Sequence, residues 1–138
     1  MSLIIDSQVH IWIAESDDRR WPAAGPVQAR TVHGRLEYLS EALLAEMDAA
    51  GVDRAVLVPP FFEGFRNDCG LSVVDDHPDR FRVMARVDLR DPESPATVAA
   101  LLHDPRIIGL RFVFLLVDLG QLDAYVDHPV WSQLVAAR

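Results

Sequence analysis

Ser40–Pro60 reads SEALLAEMDAAGVDRAVLVPP and lays a helix, a stop and a strand end to end. Ser40 suits an N-cap and Glu41 the positive end of a helix, and Leu43, Leu44, Met47 and Ala50 recur on one helical stripe. Gly51 is a natural stop just past that stripe. The run from Arg54 is then a short buried strand, ended by Pro59 and Pro60, neither of which can donate to a ladder. A helix handing over to a buried strand in so few residues is the signature of an α/β fold.

The same alternation extends outward in both directions. Ile4–Ile13 reads as a strand covered on two faces, with β-branched residues throughout. A polar segment from Glu15 to Arg35, containing DDRRWPAAGP, is longer than a connection needs and reads as a functional loop. Its DDRR run, Asp17–Arg20, reads as a solvated face. Downstream, Asn67–His77 is a helix weakened by Gly70, Val73 and Val74, with Pro78 ending it, and Arg80–Leu89 is a third strand. Ser94 as N-cap with Pro95 behind it opens a helix through Leu102; Arg106–Leu116 is a fourth strand. His128 and Pro129 start a last helix whose Trp131, Leu134 and Val135 form an apolar stripe.

Strands alternating with helices imply parallel βαβ units with right-handed crossovers. A doubly wound open sheet and a run of (β/α)8-barrel units both satisfy this. No Gly-rich phosphate turn follows the first strand, and a full barrel takes about 250 residues against 138 here. The expected fold is therefore α/β, a TIM-barrel-like half barrel of about four (β/α) units, with residues 1–138 as one partial domain.

Composition removes several function classes. Half the residues are hydrophobic and the formal charge is -8, which repels a nucleic acid backbone. The apolar runs are too short and interrupted for a bilayer, and no basic-then-apolar leader precedes the first strand, so no membrane partner and a cytoplasmic location are expected. The lone Cys69 reads as a small, partly buried apolar residue.

Within Ile4–Trp12, IIDSQVHIW, polar groups stand at every second position: Asp6, Gln8 and His10. They share one strand face, with His10 nearest the carboxyl end where α/β enzymes place their sites. A neutral imidazole there is a good ligand for a zinc-like metal and an amide a poor one. A self-satisfied hydrogen-bonded trio fits the same spacing. Arg111 in GLRF offers a fork for a carboxylate, or a partner for an internal acid. Arg86 and Asp88 share a strand face and are expected to pair with other buried charges. Trp12 and Trp21 flank the long loop as packing residues or substrate platforms; His77 and His103 close helices, and His33 and His128 have no ligand motif.

The stretches IIDSQVHIW, EMDAAGVDRAVLVPP, HPDRFRVMARVDLRDPES and IIGLRF, in this order over nearly the whole chain, resemble the amidohydrolase-related branch of the amidohydrolase superfamily. That branch includes 2-pyrone-4,6-dicarboxylate lactonase, sugar lactonases and decarboxylases of metabolic acids. The resemblance implies a barrel about twice this length, whose first strand ends in Asp-x-His-x-His, the histidines holding a metal where one is used. Here the pattern is Asp6-x-Gln8-x-His10, so an amide replaces the first ligand. The family's further ligands, after its fifth, sixth and eighth strands, fall beyond Arg138, and the fourth strand lacks the Lys or Glu that bridges two metals.

What the resemblance implies is a hydrolase of an ester, lactone or amide of a small carboxylate metabolite. His10 would bind metal or polarise the carbonyl, Asp6 would orient it, and Arg111, with Gln8, Arg86 and Trp12, would hold substrate. No cofactor is expected in this chain, with a divalent metal such as zinc reserved for a longer form. The chain alone is expected to be inactive, and to pair with itself or with a complementary C-terminal half. A non-catalytic half barrel that binds anions, and more remotely a flavodoxin-like binding module, are the rival readings.

Overall fold

The computed structural model describes residues 2–22, 32–114 and 119–137. Its elements follow the expected alternation: β1 (Ile5–Val9), α1 (Ser40–Ala50), β2 (Arg54–Leu57), α2 (Asp68–Asp76), β3 (Phe81–Arg86), α3 (Ser94–Leu102), β4 (Ile107–Arg111) and α4 (Val130–Ala136). Short 3-10 turns cover Phe61–Glu63 and Leu119–Tyr125. Among the described residues the sheet has four strands, all parallel, in the order β1-β2-β3-β4. A doubly wound sheet reverses its strand order part-way, so this sequential order decides for the barrel-type arrangement. Residues 23–31 of the long loop and Leu115–Leu116 of the expected fourth strand lie outside the described residues.

The main core is the layer between the sheet and α1 and α2. Leu43 and Met47 of α1 and Val73 and Val74 of α2 close on Ala55, Leu57, Phe81, Val83 and Ala85. Gly70 weakens α2 by propensity, and packing explains its presence: a Cβ there would meet Val83 Cγ2 at 3.2 Å, so the missing side chain lets α2 sit close on β3. A second cluster joins Val87 and Leu89 beyond β3 to Val98 and Val130 of the last helices, with Trp131 and Leu134 packed against it. Val135 does not join its expected stripe and is exposed. Cys69 packs against the main core, and burial pushes its thiol up to about 11.

Several expected features shift. β1 is shorter than Ile4–Ile13 and is largely exposed, not covered on both faces, because among the described residues it is an edge strand paired with β2 alone. Beyond it the chain leaves the sheet, and Trp12 and Tyr38 exchange N–H···O bonds of 2.9 Å in an isolated antiparallel bridge. Ser40 and Ser94 are the first helical residues and not the N-caps; Leu39 and Glu93 hold those positions without side-chain cap bonds. In the DDRR run Asp17, Asp18 and Arg20 are exposed as expected, but Arg19 is buried, drawn in by Glu63 and Asp68. Gly51, His77 and His103 close their helices as read.

Candidate functional site

The carboxyl ends of β1, β2, β3 and β4 gather the polar side chains that stood out in the apolar runs. Val58 N–H donates to Val9 O at 2.9 Å, and just beyond it His10 Nδ1 lies 2.6 Å from Val58 O. A carbonyl only accepts, so Nδ1 carries a proton, and in the neutral ring Nε2 keeps its lone pair. Asp6 does not meet that ring. The register of β1 against β2 shifts between Asp6 and Val9, and Asp6 Oδ1 accepts the Gln8 N–H at 3.0 Å across the irregularity.

Arg86 and Arg111 are register partners at the ends of β3 and β4. Asn67, the residue before α2, brackets the Arg86 backbone: Arg86 N–H donates to Asn67 Oδ1 at 2.8 Å and Asn67 Nδ2 donates to Arg86 O at 3.1 Å. The Arg86 side chain is buried, the residue only 5% exposed, with a bond to Pro60 O at 3.1 Å and its guanidinium 5.1 Å above the Phe65 ring. Its Nε has no partner among the described residues. Burial and then the neighbouring Arg111 charge lower its pKa from the usual arginine value, against the weaker opposite pull of Asp88.

The expected pairing of Arg86 and Asp88 with buried charges of opposite sign is not what forms. Asp88 takes the adjacent, more exposed Arg90 in a fork of two 2.8 Å bonds, which lowers its own carboxyl pKa. Among the described residues, no carboxylate pairs with Arg86 or Arg111.

A cavity of about 310 Å³ brings His10, Trp12, His33, Phe61, Arg86 and Arg111 together. Trp12 is buried and packs against Tyr38 and Phe62, and its Nε1 donor finds no acceptor among the described residues. Asp6 and Gln8 lie outside this lining. A second chamber of about 410 Å³ shares Phe61, Arg86 and Val113 with the first.

The donor set does not fit a metal. No three His, Cys, Asp or Glu side chains among the described residues come together to hold one. His10 offers a single ring nitrogen and Gln8 an amide, well short of the three protein ligands of a catalytic zinc.

Sequence reasoning missed the supports of this site. Glu63, buried beside the larger chamber, accepts from Ile13 N–H at 3.2 Å and from Arg19, whose guanidinium also reaches Asp68 Oδ2 at 2.8 Å. Arg66 shares the same Asp68 carboxylate, and with Arg19 holds its pKa well below the ordinary range. Asn67 and Phe65 were missed with them; only the clustering of charges in EGFRND hinted at a network.

Comparison with known proteins agrees with this arrangement. The family model described as Amidohydrolase matches residues 5–138, nearly the entire chain. The chain belongs to the amidohydrolase family. This amidohydrolase chain is 30% identical over 137 residues to an L-fucono-1,5-lactonase from Burkholderia ambifaria, covering 99% of the chain and 44% of the lactonase. Its fold matches the crystal structure of a probable 2-pyrone-4,6-dicarboxylic acid hydrolase from Acinetobacter baumannii with citric acid bound, at TM-score 0.68 and 21% identity over 99% of this chain and 45% of that one. It also matches an amidohydrolase from Burkholderia multivorans with bound zinc, at TM-score 0.63 and 26% identity over 98% of this chain and 45% of that one. The amidohydrolase chain thus spans less than half the length of these relatives, and its four strands are part of a TIM barrel. Among the described residues, none of its helices is long and apolar enough to cross a membrane.

Proposed function

We propose that this chain carries the carboxylate-gripping part of a hydrolase site for an ester or lactone of a small organic acid. One observation carries the reading: Arg86 and Arg111 are register partners at the strand ends, both line one cavity, and neither has a carboxylate partner among the described residues. Two guanidinium charges side by side without a counter-charge are costly, most of all for the buried Arg86. A carboxylate, with two acceptor oxygens and a negative charge, relieves that cost.

In this reading Arg86 and Arg111 fix the acid and so place the neighbouring carbonyl by orientation. His10, with its proton held on Nδ1 by Val58 O, presents Nε2 to take a proton from an attacking water. Trp12 walls the cavity that takes the acid, and Gln8 and Asp6 shape the strand from which His10 departs. No step here runs through a metal, since the donor set does not provide for one.

The relative is more than twice as long, which supports a reading in which the remainder of a complete site comes from chain outside these 138 residues and the isolated chain binds without turnover. The rival reading, a non-catalytic anion-binding half barrel, is favoured by Gln8 standing where the family pattern has a ligand. Calorimetric titration of the chain with citrate, and hydrolysis assays on lactones and aryl esters, test both. Citrate binding that falls at least about tenfold in Arg111→Gln supports the acid grip; binding indifferent to that change removes it. Hydrolysis by the isolated chain that is lost in His10→Ala would reject its inactivity, while full retention in that variant would reject the role of His10.

A further inference from the structure

The larger chamber differs in character from the cavity at His10. Phe61, Phe65, Phe112, Phe114 and Tyr125 supply its walls, with Leu89 beside them. Arg20, Glu63, Arg66, Asp88 and Arg90 also reach it, but each is already committed: Arg20 to Asp17, Glu63 to Arg19, Arg66 to Asp68, and Asp88 and Arg90 to each other. Of the chamber's charged groups, Arg86 alone has no carboxylate partner among the described residues, and it lines both cavities.

A chamber with aromatic walls and one such cation selects by two features at once. It favours an apolar body, since each ring buried against ring is stabilised by area and by quadrupole geometry. It admits one negative group, at the guanidinium. It disfavours a polyhydroxylated body, whose hydroxyls would lose water and find few free partners. Its volume of about 410 Å³ falls within the range of small-ligand sites.

We propose that this chamber receives the apolar limb of a monocarboxylate, an aryl or branched-alkyl acid, whose carboxylate lies on Arg86 at the junction of the two cavities. The proposal rests on the reading of Arg86 as the acid's anchor and adds what the rest of the ligand is. The part of the ligand to be hydrolysed then extends past Arg86 toward His10, while the limb stacks among Phe65, Phe112 and Phe114.

Ligand-observed NMR titrations of the 138-residue chain with acetate, phenylacetate, benzyl alcohol and citrate separate the two claims. Phenylacetate is expected to bind about tenfold more tightly than acetate and than benzyl alcohol, since it alone has both ring and charge. Phe114→Ala and Phe65→Ala, at partly exposed positions, are each expected to weaken phenylacetate about three- to tenfold, with Phe65→Leu recovering most of the loss. Citrate affinity should stay within about twofold in Phe114→Ala, which does not touch the anchor. Carboxylates that bind with no preference for phenylacetate, and no response to Phe114→Ala, overturn the chamber and leave the anchor standing. Benzyl alcohol matching phenylacetate, or carboxylate binding unchanged in Arg86→Gln, overturns the anchor and the proposal with it.

Discussion

Arg86 holds a position that stability alone would not choose. It is buried, keeps one bond to a carbonyl, rests on the Phe65 ring and faces Arg111 across the ladder. Replacing a buried charge that lacks a counter-charge with an apolar chain of similar length is often stabilising. Arg86→Met is therefore expected to raise unfolding stability by about 1 kcal/mol in urea denaturation while abolishing citrate binding; a destabilised variant would show that the guanidinium is structural. Arg86, Arg111 and His10 stood out as candidates because a polar residue inside an apolar strand is conspicuous and strand ends are where such folds place chemistry, and the three line one cavity. Alternation puts Asp6 on the face of His10 on the assumption of a regular strand; a register shift intervenes before Val9, and the Asp6 Oδ1 takes the Gln8 N–H. Asn67 was invisible: its bonds to Arg86 span 19 residues, and nothing in its neighbours announces them.

The loop after β1 is fastened to the connection between β2 and α2. Arg19 is clamped by Glu63 and Asp68, Trp21 stacks near Phe62 at 4.6 Å between ring centres, and Pro22 lies over Gly64, where a Cβ would come 2.8 Å from Pro22 Cγ. These contacts hold one wall of the aromatic chamber, to which Pro22, Glu63 and Gly64 contribute. Glu63→Gln leaves the buried Arg19 guanidinium without its buried counter-charge, and is expected to cost about 2–4 kcal/mol, read as a lowered urea midpoint. The Asp68 link carries a pH signature. Its carboxyl pKa is lowered in the folded chain by Arg66 and Arg19, so its contribution is present above the ordinary carboxylate range and fades as pH falls below it. Because Asp68 is half exposed, that contribution is screened to about 1 kcal/mol. Asp68→Asn should therefore differ from the parent by about that amount at pH 7, with the gap starting to close only below about pH 4 and vanishing well below it; a gap that persists in strong acid would assign the effect to packing. Element order was readable from hydrophobic period and stops, whereas the clamp was not, since DDRR gives no sign which of its charges turns inward.

At the scale of the whole molecule, and among the described residues, β1 and β4 each pair on one side only, so the sheet has two edges, with exposed Ile5 and Ile108 near them. Unpaired parallel strands with apolar neighbours invite further pairing. A second copy, related by a twofold axis along the strands, sets β4 of one beside β1 of the other with every strand still parallel, the geometry of a closed eight-stranded barrel. Closure brings two Arg86–Arg111 pairs into one lumen. Four like charges in a partly dry space oppose it, and a bound polycarboxylate relieves that opposition. The 138-residue chain is thus expected to show a monomer–dimer equilibrium in size-exclusion with light scattering, shifted toward dimer by citrate and less so in Arg111→Gln. Salt at matched ionic strength controls for screening. A monodisperse monomer at micromolar concentration with and without citrate would refute pairing through the edges, and a dimer indifferent to citrate would place the contact away from the arginines.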